Sequence, residues 1–167
     1  MAVKTILSYP QASHILTAQS EALAVNESQT DEIVLDLKDT LRATPNGVGL
    51  AAPQIGYLKR IFVLNKDYIS NDLAEDSLFL KTKDQMLVFI NPKIITQKGE
   101  VFEEEGCLSV PGEFIKIKRA KQIKVRAYNE LGMQFYEKFK GLASRAIQQE
   151  IDHLNGILIL NYTQGAG

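Results

Sequence analysis

Apolar positions along the chain change their period several times, and each change predicts an element. Ile15, Leu16, Leu23 and Val25 suggest a modest helix that ends in the polar run from Asn26 to Gln29. Ile33, Val34, Leu37 and Leu41 then recur with helical period, behind Ser28 and Asp31 at capping-box spacing and up to the breaker Pro45-Asn46-Gly47. That pattern predicts a helix lying on a sheet. IFVLN (61–65) and MLVFINP (86–92) read as buried strands, and the polar, weakly patterned stretch 66–85 between them reads as a surface loop or insertion. Ile115 and Ile117, then Ile123, Val125 and Ala127, alternate with Lys, Arg and Gln, as half-buried strands do. Asn129-Glu130-Leu131-Gly132 is a turn, and Met133, Phe135, Glu137 and Phe139 resume the alternation, so 121–139 is a predicted hairpin. From Leu142 to Leu154 the period is helical again, with Ala143, Ile147, Ile151 and Leu154 in one stripe and Asn155-Gly156 as a stop. Strands before and after one strong C-terminal helix predict an α+β fold, with antiparallel or mixed sheets wrapped around that helix.

Composition narrows the picture. A chain of 167 residues without repeat, low-complexity tract or linker-like shift is expected to form one domain, 1–167. With 45% hydrophobic and 23% charged residues and a formal net charge of −1, it belongs with ordinary globular proteins and not with disordered or nucleic-acid-coating ones. There is no 18-residue apolar run and no signal-peptide pattern at the N-terminus, so the expectation is a cytoplasmic protein with no membrane partner. Lys116, Lys118, Arg119, Lys121, Lys124 and Arg126 alternate with apolar residues, which predicts a solvated strand face in preference to a nucleic-acid surface; no DNA partner is expected. A single cysteine, Cys107, excludes an internal disulfide framework and leaves a packing residue, a nucleophile or a metal ligand.

Three stretches carry candidate chemistry. GVGLAAPQIG (47–56) is either a turn into a close-packed segment or a site where backbone comes near a ligand, with the Gln54 amide able to donate to an oxyanion. EEEGCLSVPG (103–112) sets Cys107 at the edge of a turn. QQEIDH (148–153) has Glu150 and His153 at the spacing of HExxH, a helix motif in which two His one turn apart hold a metal and the Glu handles protons; Gln149 stands where the first His would be. Taken singly, each has a bland reading: punctuation, a small buried hydrophobe, a polar helix face.

Together, and in this order, GVGLAAPQ, EGCLS and QQEIDH resemble the peptide deformylases, whose segments read GxGLAAxQ, EGCLS and QHExDH. ILSYP near the start and ILILNY after the helix are similar to that family as well, and the longer interval between Gln54 and Cys107, residues 66–85, resembles its longer-loop subgroup from Gram-positive bacteria. The resemblance implies an N-formylmethionyl peptide substrate at the nascent chain, with transient proximity to the ribosome. It implies one divalent metal, Fe(II) foremost, with Ni, Co or Zn able to substitute, and a fourth coordination place left for water. By position, Cys107 and His153 match two metal ligands and Gln149 the third; Glu150 matches the acid/base residue; Gln54 and the Leu108 N–H match the oxyanion donors; Val48 and Gly49 match the backbone along which substrate lies. Asp152 is either a partner to the ligands or a helix-surface charge, and His14 lies outside every motif.

Gln149 is the one departure. Its amide oxygen reaches about as far as a histidine ring nitrogen but is a weaker donor toward Fe, Ni or Zn. If a zinc site is worth ~10–16 kcal/mol over four ligands, outright loss of one weakens binding by roughly 10² to 10³-fold. The chain is therefore expected to be either a deformylase, impaired to the extent that metal is lost, or an inactive relative that binds peptide N-termini without cleaving them.

Overall fold

The computed structural model describes residues 2–24 and 28–162. Five strands form one antiparallel sheet in simple sequence order: β1 (Gly49–Ala51), β2 (Ile61–Asn65), β3 (Met86–Cys107), β4 (Val110–Tyr128) and β5 (Gln134–Lys140). Leu50 pairs with Val63, Val63 with Val88, Ile94 with Val125 and Val125 with Glu137. The helices are α1 (Ser13–Leu16), α2 (Ser28–Arg42), α3 (Lys66–Ile69) and α4 (Gly141–Leu154). This is the α+β arrangement the periodicities predict.

The strand IFVLN has no polar face because both faces are covered. Ile61 and Val63 pack with Ile33, Leu37 and Leu41 of α2, while Phe62 and Leu64 point the other way, toward Ala143, Ile147 and Leu154 of α4. On the α4 side Phe62 and Phe89 stack at 4.6 Å between ring centroids, and Phe135 meets Phe89 edge-on at 5.6 Å. The hairpin 121–139 forms as predicted, from Gln122 opposite Lys140 to Tyr128 opposite Gln134. Gly156, with φ +73°, follows the end of α4 in the left-handed conformation that glycine adopts without steric cost.

Three expectations need correction. The first helix is only the single turn α1; Leu23 is buried in irregular chain, fixed by two hydrogen bonds to the Asn91 side chain, and Val25 and Asn26 lie outside the described residues. The strand expected at 86–92 runs on to Cys107, pairing with β4 as a long hairpin. The stretch 66–85 is not a plain surface loop. It carries α3 and two 3-10 turns, and it sends Ile69, Leu73 and Phe79 into the core on the α4 side.

Candidate active site

Helix α4 presents one buried side to the sheet, and its polar members are held in place by named contacts. Gln148 accepts from the Ala120 N–H and donates to the Ala120 carbonyl, both at 3.0 Å, while Ser144 donates to the same carbonyl at 2.9 Å. These bonds lock α4 onto β4. Glu150 and His153, further along that buried side, are 3% and 1% exposed.

Cys107 ends β3 where the register slips, Glu105 facing Ile115 but Cys107 facing Val110. Such a bulge re-aims side chains. Here the Cys107 Sγ comes within 3.3 Å of the His153 Nε2 and accepts from the Ser109 N–H at 3.4 Å. Gln54 is equally fixed. Its Oε1 accepts from the Ala51 N–H at 2.9 Å, which turns Nε2 toward the Ser109 hydroxyl at 3.1 Å and the Cys107 sulfur at 3.9 Å. Gly49 of β1 backs onto Glu150 so closely that a Cβ there would sit 3.0 Å from the Glu150 Oε2 and 2.8 Å from a Leu64 methyl. A cavity of about 430 Å³ gathers Val48, Gly49, Gln54, Cys107, Leu108, Gln149 and Glu150 along its wall. His153 lies beneath them, reached through Cys107, so the structure brings together every residue that the three motifs nominate. His14 is exposed on α1.

Half of a metal site fits these residues. A sulfur at ~2.3 Å and an imidazole nitrogen at ~2.0–2.1 Å from one tetrahedral ion stand about 3.5 Å apart, close to the spacing of Cys107 and His153. Burial, and then the Arg119 charge, pull the His153 pKa down to about 4, so the ring is neutral and able to donate. Its Nδ1 and the Glu150 Oε1 are buried without a hydrogen-bond partner among the described residues. Burial pushes the Cys107 thiol up to about 12, so a cation would have to displace its proton. The third seat holds an amide in place of an imidazole. The Gln149 Nε2 donates to the Glu105 Oε1 at 3.0 Å and to the Gly106 carbonyl at 3.2 Å. Among the described residues, no third His, Cys, Asp or Glu converges with the pair.

Behind this wall lies an ion network that motif reading misses. Arg119, 5% exposed, grips both Glu105 oxygens at 2.8 and 2.9 Å, the Asp152 carboxylate at 2.7 Å and the Tyr162 hydroxyl at 3.2 Å. Tyr162 in turn donates to Asp152 at 2.6 Å. Burial opposes the Arg119 charge, but Glu105 and Asp152 more than offset it, and the guanidinium pKa is raised. Asp152 is thus a partner within the network and not a free surface charge. The basic alternation of β4 predicts a solvated Arg119, and the structure buries it. The signal that separates it is parity, since it continues the inward phase of Ile115 and Ile117. Burial, and secondarily Glu105, push the Glu150 pKa up to about 8, with Arg119 acting the other way.

A family model described as polypeptide deformylase matches residues 3–166. The peptide deformylase of Dictyoglomus turgidum is 42% identical over 147 residues, 88% of this chain and 85% of that protein. Peptide deformylase 1 of Bacillus subtilis is 37% identical over 158 residues, covering 95% and 88%. Among solved structures, the peptide deformylase of Ehrlichia chaffeensis superposes with a TM-score of 0.80 at 32% identity, over 99% of this chain and 90% of that one. The peptide deformylase of Thermotoga maritima gives 0.79 at 30%, over 96% and 97%.

Proposed function

This chain belongs to the polypeptide deformylase family, and on that premise we propose that it hydrolyses the N-formyl group of N-formylmethionyl peptides. The observation that carries this reading is that Cys107, on the wall that also holds Glu150 and Gln54, meets His153 beneath it at 3.3 Å. Cys107 and His153 would hold one divalent ion, Fe(II) foremost, with Ni, Co or Zn as substitutes. Such an ion supplies a Lewis acid that makes a water nucleophilic near neutral pH. Gln149 has its amide nitrogen committed to Glu105 and Gly106, so its carbonyl oxygen is what it has left to offer as a third donor.

The remaining steps belong to side chains of this chain. Glu150 takes a proton from the attacking water and returns it to the departing amine; its raised pKa would come down toward the working range with a cation held beside it. The Gln54 amide and the Leu108 N–H donate to the formyl oxygen as it becomes an oxyanion. β1 lies at the edge of the sheet, so Val48 and Gly49 offer backbone to an extended peptide. Such pairing reads main chain and not side chains, as a nascent-chain enzyme working transiently near the ribosome in the cytoplasm would need. The segment 66–85 supports placement in the longer-loop subgroup.

One observation favours a second reading, an inactive relative that binds peptide N-termini: the Gln149 amide is already tied to Glu105 and Gly106. Formate release from a formyl-methionyl peptide, with metal analysis of anaerobically purified protein, decides between them. Turnover that Glu150→Ala abolishes supports the hydrolase. Absence of both metal and formate, with both appearing in Gln149→His, sinks the hydrolase.

A further inference from the structure

Among the described residues, helix α2 packs on β1, β2 and the first part of β3, and beyond them the same sheet face is half-buried or exposed. Tyr128 of β4 packs at the border of the α2 cluster, and the residues beyond it in the same phase, Arg126, Lys124 and Gln122, are half-buried or exposed. Cross-strand pairing sets their neighbours: Lys93, Arg126 and Tyr136 in one row, Thr96, Lys124 and Lys138 in the next, Lys98, Gln122 and Lys140 in the third. Paired residues share a face. This three-by-three array therefore holds six cations and no carboxylate.

The array differs from the basic stretch visible in the sequence. Arg119 is buried in the ion network, Lys118 pairs with Glu100 at 3.8 Å and Lys116 lies over the Phe102 ring. In contrast, Lys93, Lys98, Lys124, Arg126, Lys138 and Lys140 form no ion pair with any described residue, and Lys124 lies over the exposed Tyr136 ring at 5.8 Å. The third and second rows line a groove of about 360 Å³ whose far bank is the segment 72–75. Of its two carboxylates, Asp72 is taken up by the Ala143 N–H at 3.2 Å and Glu75 is exposed. A chain with a net charge of −1 has thus gathered unpaired positive charge on one face of the sheet. Such a field attracts a polyanion.

We infer that this face binds the backbone of double-helical RNA. The array spans about 10 Å across three strands and about 13 Å along them. That ~10 Å is the backbone span alone; with side chains, three strands are wider than the helix or two-stranded ribbon that the major groove of B-DNA admits. It can lie on the wide, shallow minor groove of an A-form helix, where phosphates flank exposed 2′-hydroxyls. The cations meet the phosphates, while Thr96, Gln122 and Tyr136 supply donors and acceptors for the hydroxyls. Nothing in this inference depends on hydrolysis at the cavity.

The test is fluorescence anisotropy of the full chain with a labelled 20-base-pair RNA duplex, titrated between 50 and 200 mM salt. Wild type should bind, with affinity falling steeply as salt rises. Lys98→Gln/Lys124→Gln/Lys138→Gln should bind at least tenfold more weakly, with the slope of log affinity against log salt smaller by about 2 to 3. Lys93→Gln/Arg126→Gln/Lys140→Gln provides an independent set should the first fold poorly, and circular dichroism confirms that each variant is folded. The inference is overturned if wild type does not bind the duplex at 50 mM salt, or if folded variants bind as wild type does. It is likewise overturned if a DNA duplex or polyglutamate binds as tightly as RNA, or if vesicles containing phosphatidylserine are bound and the RNA is not.

Discussion

Replacing Gln149 by His should move metal affinity and metal-free stability in opposite directions. In the wild type the Gln149 amide donates to the buried Glu105 carboxylate at 3.0 Å and to the Gly106 carbonyl at 3.2 Å. A hydrogen bond to a charged group contributes about 1.5–3 kcal/mol. Arg119 still holds both Glu105 oxygens in the variant, which places the loss near the lower end, about 1.5–2 kcal/mol. At ~2–4 °C per kcal/mol for a chain of this size, chelated Gln149→His should melt roughly 3–8 °C below chelated wild type. With metal the order reverses. A third strong donor beside Cys107 and His153 adds about 3–4 kcal/mol, or a 10² to 10³-fold tighter Kd. Anaerobic Co(II) titration followed by visible absorption gives the affinities, and calorimetry with and without chelator gives the melting temperatures. Equal Co(II) affinity in the two proteins, within threefold, would refute the reasoning, because it would mean that Gln149 already serves as a full ligand or that position 149 does not face the ion.

Other expectations follow from the same contacts. Arg119→Met leaves the buried Glu105 and the half-buried Asp152 without their counter-ion and should cost about 3–5 kcal/mol in urea unfolding; a loss below 1 kcal/mol would contradict the network. Glu150 has a folded pKa of about 8 against an ordinary value of 4.5, so its carboxylate destabilises the chelated fold progressively as pH rises from 4.5 through 8. Chelated Glu150→Gln should accordingly equal wild type at pH 4.5 and exceed it by about 2–4 kcal/mol at pH 9, and coincident unfolding curves at pH 9 would dispose of this. Gly49→Ala must push a methyl against the Glu150 carboxylate and Leu64, for about 1–3 kcal/mol of strain and a lowered rate of formate release with Km little changed. Phe89→Ala removes the ring that stacks on Phe62 and should cost about 3–5 kcal/mol.

What could be read from the residues, and what could not, follows from burial. IFVLN and the stripe Ala143, Ile147 and Leu154 are legible because one face or both are covered, and the covering imposes a period. The second half of β3 is not, because from Lys93 to Glu104 it is exposed or half-buried on both faces and no alternation is selected. Ile69, Leu73 and Phe79 escape for a different reason: short turns deliver them to the core at irregular spacing. At the cavity, motif order identifies Gln54, Cys107, Glu150 and His153, which lie in contiguous signatures. It is blind to Arg119 and Tyr162, whose meaning arises only when β4 and the end of the chain close on α4.

That closure has a kinetic side. Cys107 and His153 are 46 positions apart, Gln54 and Cys107 53, and Arg60 and the Leu154 carbonyl it holds 94. Contacts over such separations form only after the entropy of loop closure has been met, so they come late in folding. Until α4 docks, the thiol of Cys107 has neither the imidazole nor the cavity wall beside it and lies open to oxidants.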